Sequence, residues 1–360
     1  SSFKELLHKK SHNNLTLSLK DIFLLFLCFS DIMILIELPR LYNYYLGTKP
    51  GLKGSAFLFI EDRYMELKPP LTFEEQIDRL KEHGMIIDAK EEARTILEQV
   101  NYYRFTGYAL ENRKNKHSSD YQIGTFFQNV WQRYQFDVEM RNILRKAIEC
   151  VEIYYRTQIS YIFSIRKCGS PPHDQHYDRE NYFRKEAFDS LVQNIRRETG
   201  YYWDSPIVSH HKLKYDNKMP LWVLVEVMTF SSLSKFYKCM YISDQEAISE
   251  AVGTSAAILG NHLHCLTNLR NKCAHAGRLY GKVFNPPVRL GRNFLQKHPE
   301  IKNDTLFGYI VMLIKRLPDK VHQKKVVDEI LLIMEKYESE ITLSEVGFPK
   351  SYRIILQNLT

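Results

Sequence analysis

Cysteine is sparse in this 360-residue chain: six residues, at positions 28, 150, 168, 239, 265 and 273, with no CxxC pair among them. That scatter argues against a zinc ribbon or a disulfide framework and fits a reducing compartment. Glycine and proline are also few, at fifteen and thirteen, fewer than a turn-rich β fold needs. No G-x-x-x-x-G-K-[ST], G-x-G-x-x-G, H-E-x-x-H or G-x-S-x-G occurs, which removes the commonest NTPase, dehydrogenase, zinc-protease and hydrolase readings. Internal repeats and low-complexity tracts are absent as well.

What is plentiful is aromatic: twenty-three Tyr and twenty Phe suggest an all-α protein with aromatic packing. The length gives room for one large or two moderate domains with a sizeable core. A net charge of +8 and a pI near 8.9 are compatible with a nucleic-acid partner, although the excess is mild for this length.

Residues 22–38 form an apolar run interrupted by Asp31, with Glu37 near its end. Three readings of residues 1–64 stay open: a membrane span at the lower limit of length, a signal peptide without a small-x-small cleavage site, or an extension upstream of a native start at Met65. The third is the expectation, and with it a soluble protein.

Beyond the leader the pattern is helical. The spacing of Ile77, Leu80, Ile86, Ile87, Ile96 and Leu97 predicts two short helices parted at His83-Gly84, and Thr72 with Glu75 forms a capping-box signal. Asn101–Tyr108 interleaves aromatics with Arg104, which suits either core packing or base stacking with phosphate contact. A long helix is predicted from about Phe126 to Arg166, on Leu144, Ile148, Val151, Tyr155, Ile159 and Ile162, and Gly169-Ser170-Pro171-Pro172 ends it. On it, Glu152 and Arg156 are spaced either for an intrahelical ion pair or for buttressing a site on the neighbouring helix. Residues 170–218, with His211 and Lys214, read as a polar, loop-rich insertion that is either an RNA-facing rim or a solvated surface. Further helices are predicted over Leu221–Met240, Ile258–Ala276, Leu306–Arg316 and Val321–Tyr337.

The second of these, Ile258–Ala276, is where chemistry concentrates. Leu259, Leu266, Leu269, Cys273 and Ala276 share one face, while His264, Asn268, Asn271 and His275 follow i, i+4, i+7, i+11 on the other, with Arg270 on the border and Gly277 as a stop. An ordinary solvated face carries Lys and Glu; this one carries imidazoles and amides. A histidine, whose ordinary pKa is roughly 6.5, accepts a proton at neutral pH, and a guanidinium grips phosphate oxygens as a planar fork. Arg270 therefore suits the phosphate and His275 the proton of an RNA 2′-hydroxyl, with Asn271 placed to orient His275. His262, His264, Cys265, Cys273 and His275 are dense enough to raise a metal centre, but they point around the helix in different directions, so no metal or other cofactor is expected.

Several segments, in order, resemble the abortive-infection Abi family, the group containing AbiD and AbiF. They are Lys68–Gln76, Asn101–Tyr108, Phe136-Asp137 with Arg141, Glu152–Arg156, His210–Tyr215, Met219–Val223, Asn268–His275 and Gly347-Phe348-Pro349. The resemblance implies a HEPN-like helical bundle with N-terminal and C-terminal helical additions, and a kinship with the nuclease domains of type VI CRISPR effectors. It implies a ribonuclease in which Arg270 and His275 match the Arg-x4-His signature and Asn271 its usual polar neighbour. For the AbiF branch it also implies a small non-coding RNA as partner and antitoxin. On this view residues 65–125 are an N-terminal helical segment, 126–290 the core with the insertion 170–218, and 291–360 the C-terminal helices. RNA contacts are expected from His264, Asn268, Lys272, Arg104, His211 and Lys214, with Glu152 and Arg156 in support. A homodimer in the bacterial cytoplasm, without stable membrane association, completes the expectation, because one Arg-x4-His supplies one histidine where a base and an acid are wanted.

Overall fold

Thr72 begins the first helix of the computed structural model, which describes residues 67–360. The expectations about residues 1–64, the apolar run 22–38 included, lie outside the described residues.

In α1 (Phe73–Glu82) the capping box forms: the Glu75 amide donates to Thr72 Oγ1 at 3.3 Å and the Thr72 amide to Glu75 Oε2 at 2.7 Å. Gly84, at φ +89°, turns the chain toward α2 (Lys90–Gln99), and Asn101 caps the single turn of α3 (Tyr102–Thr106). Then α4 (Phe127–Lys167) runs 41 residues, about 60 Å at the usual rise. Leu144, Ile148, Val151, Tyr155 and Ile159 are all buried along it, so its three-and-four spacing marks the inward side.

Residues 170–218 are not loop-rich. They hold α5 (Lys185–Tyr201) and α6 (Pro206–Lys214). Phe188, Leu191 and Ile195 repeat at three and four and are buried, each worth about 1.5–3 kcal/mol, enough to anchor α5 although polar residues dominate its sequence. The predicted Leu221–Met240 helix is two, α7 (Leu221–Val227) and α8 (Phe230–Cys239). The break falls where the Thr229 hydroxyl accepts the Ser232 amide at 3.1 Å and starts the second helix. No expectation covered α9 (Ile242–Ala251).

α10 (Ala256–Ala274) carries the Arg-x4-His run and is followed by α11 (Arg292–Lys297), α12 (Leu306–Arg316), α13 (Lys320–Lys336) and α14 (Tyr352–Gln357). Every residue from Leu306 to Ile314 is buried, which makes α12 the central helix of the C-terminal half. Leu71–Thr360 form one unit, and among the described residues there is no strand, only isolated bridges such as Ile86 with Phe126. The fold is an all-α bundle: α4 packs against α7, α9, α10, α12 and α13, and α10 against α4, α8, α9 and α12. No helix of the described residues is long and apolar enough to cross a membrane.

Candidate functional site

Leu259, Leu263, Leu266, Leu269 and Cys273 turn the apolar side of α10 inward, all buried. Burial pushes the Cys273 thiol up to about 12, so it packs and does not react. On the opposite side His264, Asn271 and His275 are exposed and Asn268 is half-buried. This side of α10 has other occupations as well. Asn268 donates through Nδ2 to the Asn285 carbonyl at 2.9 Å, and Asn261 donates to the Pro287 carbonyl while accepting the Arg289 amide at 2.7 Å. Residues 285–289 are thus strapped along α10. His264 Nδ1 lies 3.4 Å from Lys238 Nζ, and burial, with Lys238, holds its pKa below the usual imidazole value.

The helix ends one residue before His275, which is its C-cap. Ala276 adopts φ +51°, its amide bonds the Cys273 carbonyl, and the Gly277 amide bonds the Lys272 carbonyl at 2.7 Å, the six-to-one closure of a Schellman motif. The left-handed position therefore belongs to Ala276, which is off the helix and exposed rather than on its apolar face. A Cβ on Gly277 would come within 3.2 Å of the Lys272 carbonyl.

A buried network fixes this turn. Asp137 Oδ2 accepts from Tyr108 Oη at 2.7 Å, from Arg141 Nη1 at 2.7 Å and from the Leu279 amide at 2.9 Å, while Oδ1 takes the Tyr280 amide at 2.9 Å. Arg141 Nη1 also reaches the Gly277 carbonyl at 3.3 Å, and Arg104 Nη1 donates to the Ala276 carbonyl at 2.5 Å. Burial raises the Asp137 pKa above its ordinary range, against the downward pull of Tyr108, Leu279 and Arg141. Held this way, the His275 ring stays exposed and makes no hydrogen bond with a described residue, Asn271 included.

Arg270 leaves α10 on the flank facing α4. Its Nε lies 3.8 Å from Glu152 Oε2, and Glu152 Oε1 takes Arg156 Nη2 at 2.5 Å. Glu152 thus makes both the intrahelical pair and the contact across to α10. Arg270 is 43% exposed, so the bridge contributes orientation and little stability. Arg145, Glu149, Glu152, Arg156, Arg270 and Ala274 border a groove of about 330 Å³ between the two helices. Arg156 Nη1 is buried there without a partner among the described residues. Three guanidiniums and two carboxylates thus share the groove, and one guanidinium keeps an unused N–H, a group able to bind an oxyanion.

The sequence motif Asn101–Tyr108 divides. Phe105 and Tyr108 are buried, while Tyr103 and Arg104 face out beside the His275 turn. Lys272 Nζ sits 5.5 Å from the Phe284 ring and Arg278 lies over Tyr108. Arg278, burial and Lys272 lower the Lys282 pKa, the mark of cations crowded together. Arg278, Lys282 and Arg145 escaped the sequence reading because their clustering depends on the turn after α10 and on the groove. His211 and Lys214 stand on α6 instead, where the His211 ring bonds the Ile207 carbonyl of its own helix.

A family model described as Abi-like protein matches residues 95–281, just over half of the chain. No curated protein and no solved structure matches it.

Proposed function

The chain belongs to the Abi-like protein family, and from that premise we propose that it is an abortive-infection toxin, a metal-independent endoribonuclease of the HEPN type. The observation that carries the reading is the arginine-lined groove beside Arg270, closed by Ala274, next to a helix end that exposes His275. In this mechanism Arg270 holds the non-bridging phosphate oxygens, which carry the growing charge. His275 takes the proton of the 2′-hydroxyl, the 2′-oxygen bonds to phosphorus, and the bond to the 5′-oxygen breaks. The leaving oxygen needs a proton from a second imidazole, which the same residue of a second chain provides. Exposed Ile153, Tyr161 and Ile165 stand at multiples of four along α4, starting at the groove, and give that dimer an apolar seam. The rim of Arg104, Lys272, Arg278 and Lys282 would take the RNA backbone. We extend this to restraint by a small non-coding RNA, which the family resemblance implies for its AbiF branch.

A second reading, a non-catalytic RNA-binding module, is favoured by two details: Arg270 is already paired with Glu152, and no described group orients His275. Cleavage of RNA by the purified protein in excess chelator separates the two. The expected result is cleavage in chelator by the parent and none by His275→Ala, with RNA binding kept. Adding excess His275→Ala chain to the parent should suppress activity beyond dilution. Equal cleavage by the mutant would end the assignment, and a purely proportional fall would end the shared site.

A further inference from the structure

Among the ends of α11, α12, α13 and α14 lies another cavity, of about 640 Å³, a size that suits a small organic ligand. Lys297, Lys315, Arg316 and Lys320 line it, together with Gln323 and Phe294, and no acidic side chain does. The acids nearest in sequence have partners already: Glu300 accepts the Ser351 hydroxyl at 2.7 Å and stands 4.0 Å from His298, which also borders the cavity, and Asp319 caps α13 and pairs with His322. None of the four cations forms an ion pair with a described residue. Uncompensated positive charge gathered in one cavity is unfavourable unless an anion joins it.

The buried atoms say more about that anion. Arg316 Nε and Nη1 are shielded from water and have no hydrogen-bond acceptor among the described residues. Each is an N–H left without an acceptor, and a phosphate oxygen is an acceptor that a guanidinium binds strongly. Gln323 Oε1 is buried and unpartnered in the same way, and it calls for a donor such as a sugar hydroxyl or a base amino group. Phe294, with Lys315 Nζ 3.6 Å over its ring, Ile355 and Leu359 supply an apolar wall. Burial and Arg316 pull the Lys315 ammonium below its ordinary pKa, in keeping with a cation awaiting a counter-charge.

We propose that this cavity binds a nucleoside polyphosphate, its phosphates on Arg316, Lys315, Lys297 and Lys320 and its sugar or base on Gln323 and the apolar wall. The donors converge on one cavity, whereas an RNA strand is held by cations that track along a groove. The site is separate from the groove beside Arg270, and its occupancy is read by binding alone.

Arg316 also adjoins the buried Tyr155 of α4, so its replacement could disturb the fold. The exposed Lys297 and Lys320 give a safer variant, K297E/K320E, with Gln323→Ala as a second. The full chain is titrated by calorimetry with ATP, GTP, inorganic phosphate and a single-stranded RNA oligonucleotide. The expected result is ATP or GTP binding at micromolar concentrations, with inorganic phosphate at least about a hundredfold weaker. K297E/K320E should keep the parent melting temperature and lose at least about tenfold in affinity, and Gln323→Ala several-fold. Absence of ATP and GTP binding at millimolar concentration, equal affinity for inorganic phosphate, unchanged affinity in K297E/K320E, or binding of the RNA oligonucleotide alone would each overturn the proposal.

Discussion

Four donors converge on the two oxygens of Asp137, two of them side chains and two the amides of Leu279 and Tyr280. Asp137 is wholly buried and Arg141 nearly so, and removing one partner of such a pair strands the other charge. Asp137→Ala should therefore cost about 3–5 kcal/mol, visible as a lower urea midpoint, and should free the turn that follows His275. A loss under about 1 kcal/mol, the scale of an exposed pair, would show that the network is not what holds the turn. At this scale the sequence was legible where chemistry follows spacing. Arg270 and His275 stand out because five residues on a helix turn them to different flanks. Asp137 and Arg141 were visible as matching residues without a role, since nothing in their own helix says that they clasp the amides of another segment. Asn268 was read as an RNA contact and is a strut, because the Asn285 carbonyl it holds arrives from beyond the helix.

Elements were legible in proportion to how strongly local signals agree. The capping box of α1, the apolar stripe of α4 and the unbroken apolar run of α12 each predicted their helices to within a residue or two of the observed ends. α5 was missed because its stripe of Phe188, Leu191 and Ile195 is narrow and set in polar sequence, so burial against the bundle, rather than composition, decides its state. The break before α8 was missed because Thr229 was read as one more helical residue instead of a cap. Gly347 shows what a single position contributes at this scale. It has φ +71°, and a Cβ there would lie 2.4 Å from Thr305 Cβ, the residue that caps α12. Gly347→Ala should destabilise the fold by at least about 2 kcal/mol, from left-handed strain and the clash together, as a lower thermal midpoint. A melting temperature equal to the parent's would show that the loop yields.

For the whole molecule, two buried histidines set an acid limit. His176 bonds the Met219 carbonyl through Nε2 and His262 the Arg289 carbonyl, both at 2.9 Å, and burial brings each pKa down from 6.5 to about 4. The unfolded chain takes up these protons near pH 6.5 and the folded one only near 4, so stability is full above about 6.5 and falls as the pH drops through that window. Each histidine contributes about 3 kcal/mol over it. Chemical denaturation at pH 7 and pH 4.5 should show the loss, and His176→Gln with His262→Gln should flatten it. A stability that is level between those pH values would refute the assignment. Fold class was legible at this scale from composition and periodicity alone; the packing of α4 against helices from both ends of the chain was not, because it depends on contacts between residues far apart in sequence.

That distance has a consequence in time. Asp137 lies 142 residues before Leu279 and 143 before Tyr280, and the ribosome delivers them in that order. In a chain still being synthesised, the carboxylate that fixes the turn after His275 is in place first and waits for amides not yet made. The end of α10 takes its final shape only after Tyr280 has left the ribosome and folded back onto α4. Fragments released before that point carry the motif without its support, so an interrupted message yields an unfinished turn and not a smaller version of the working protein.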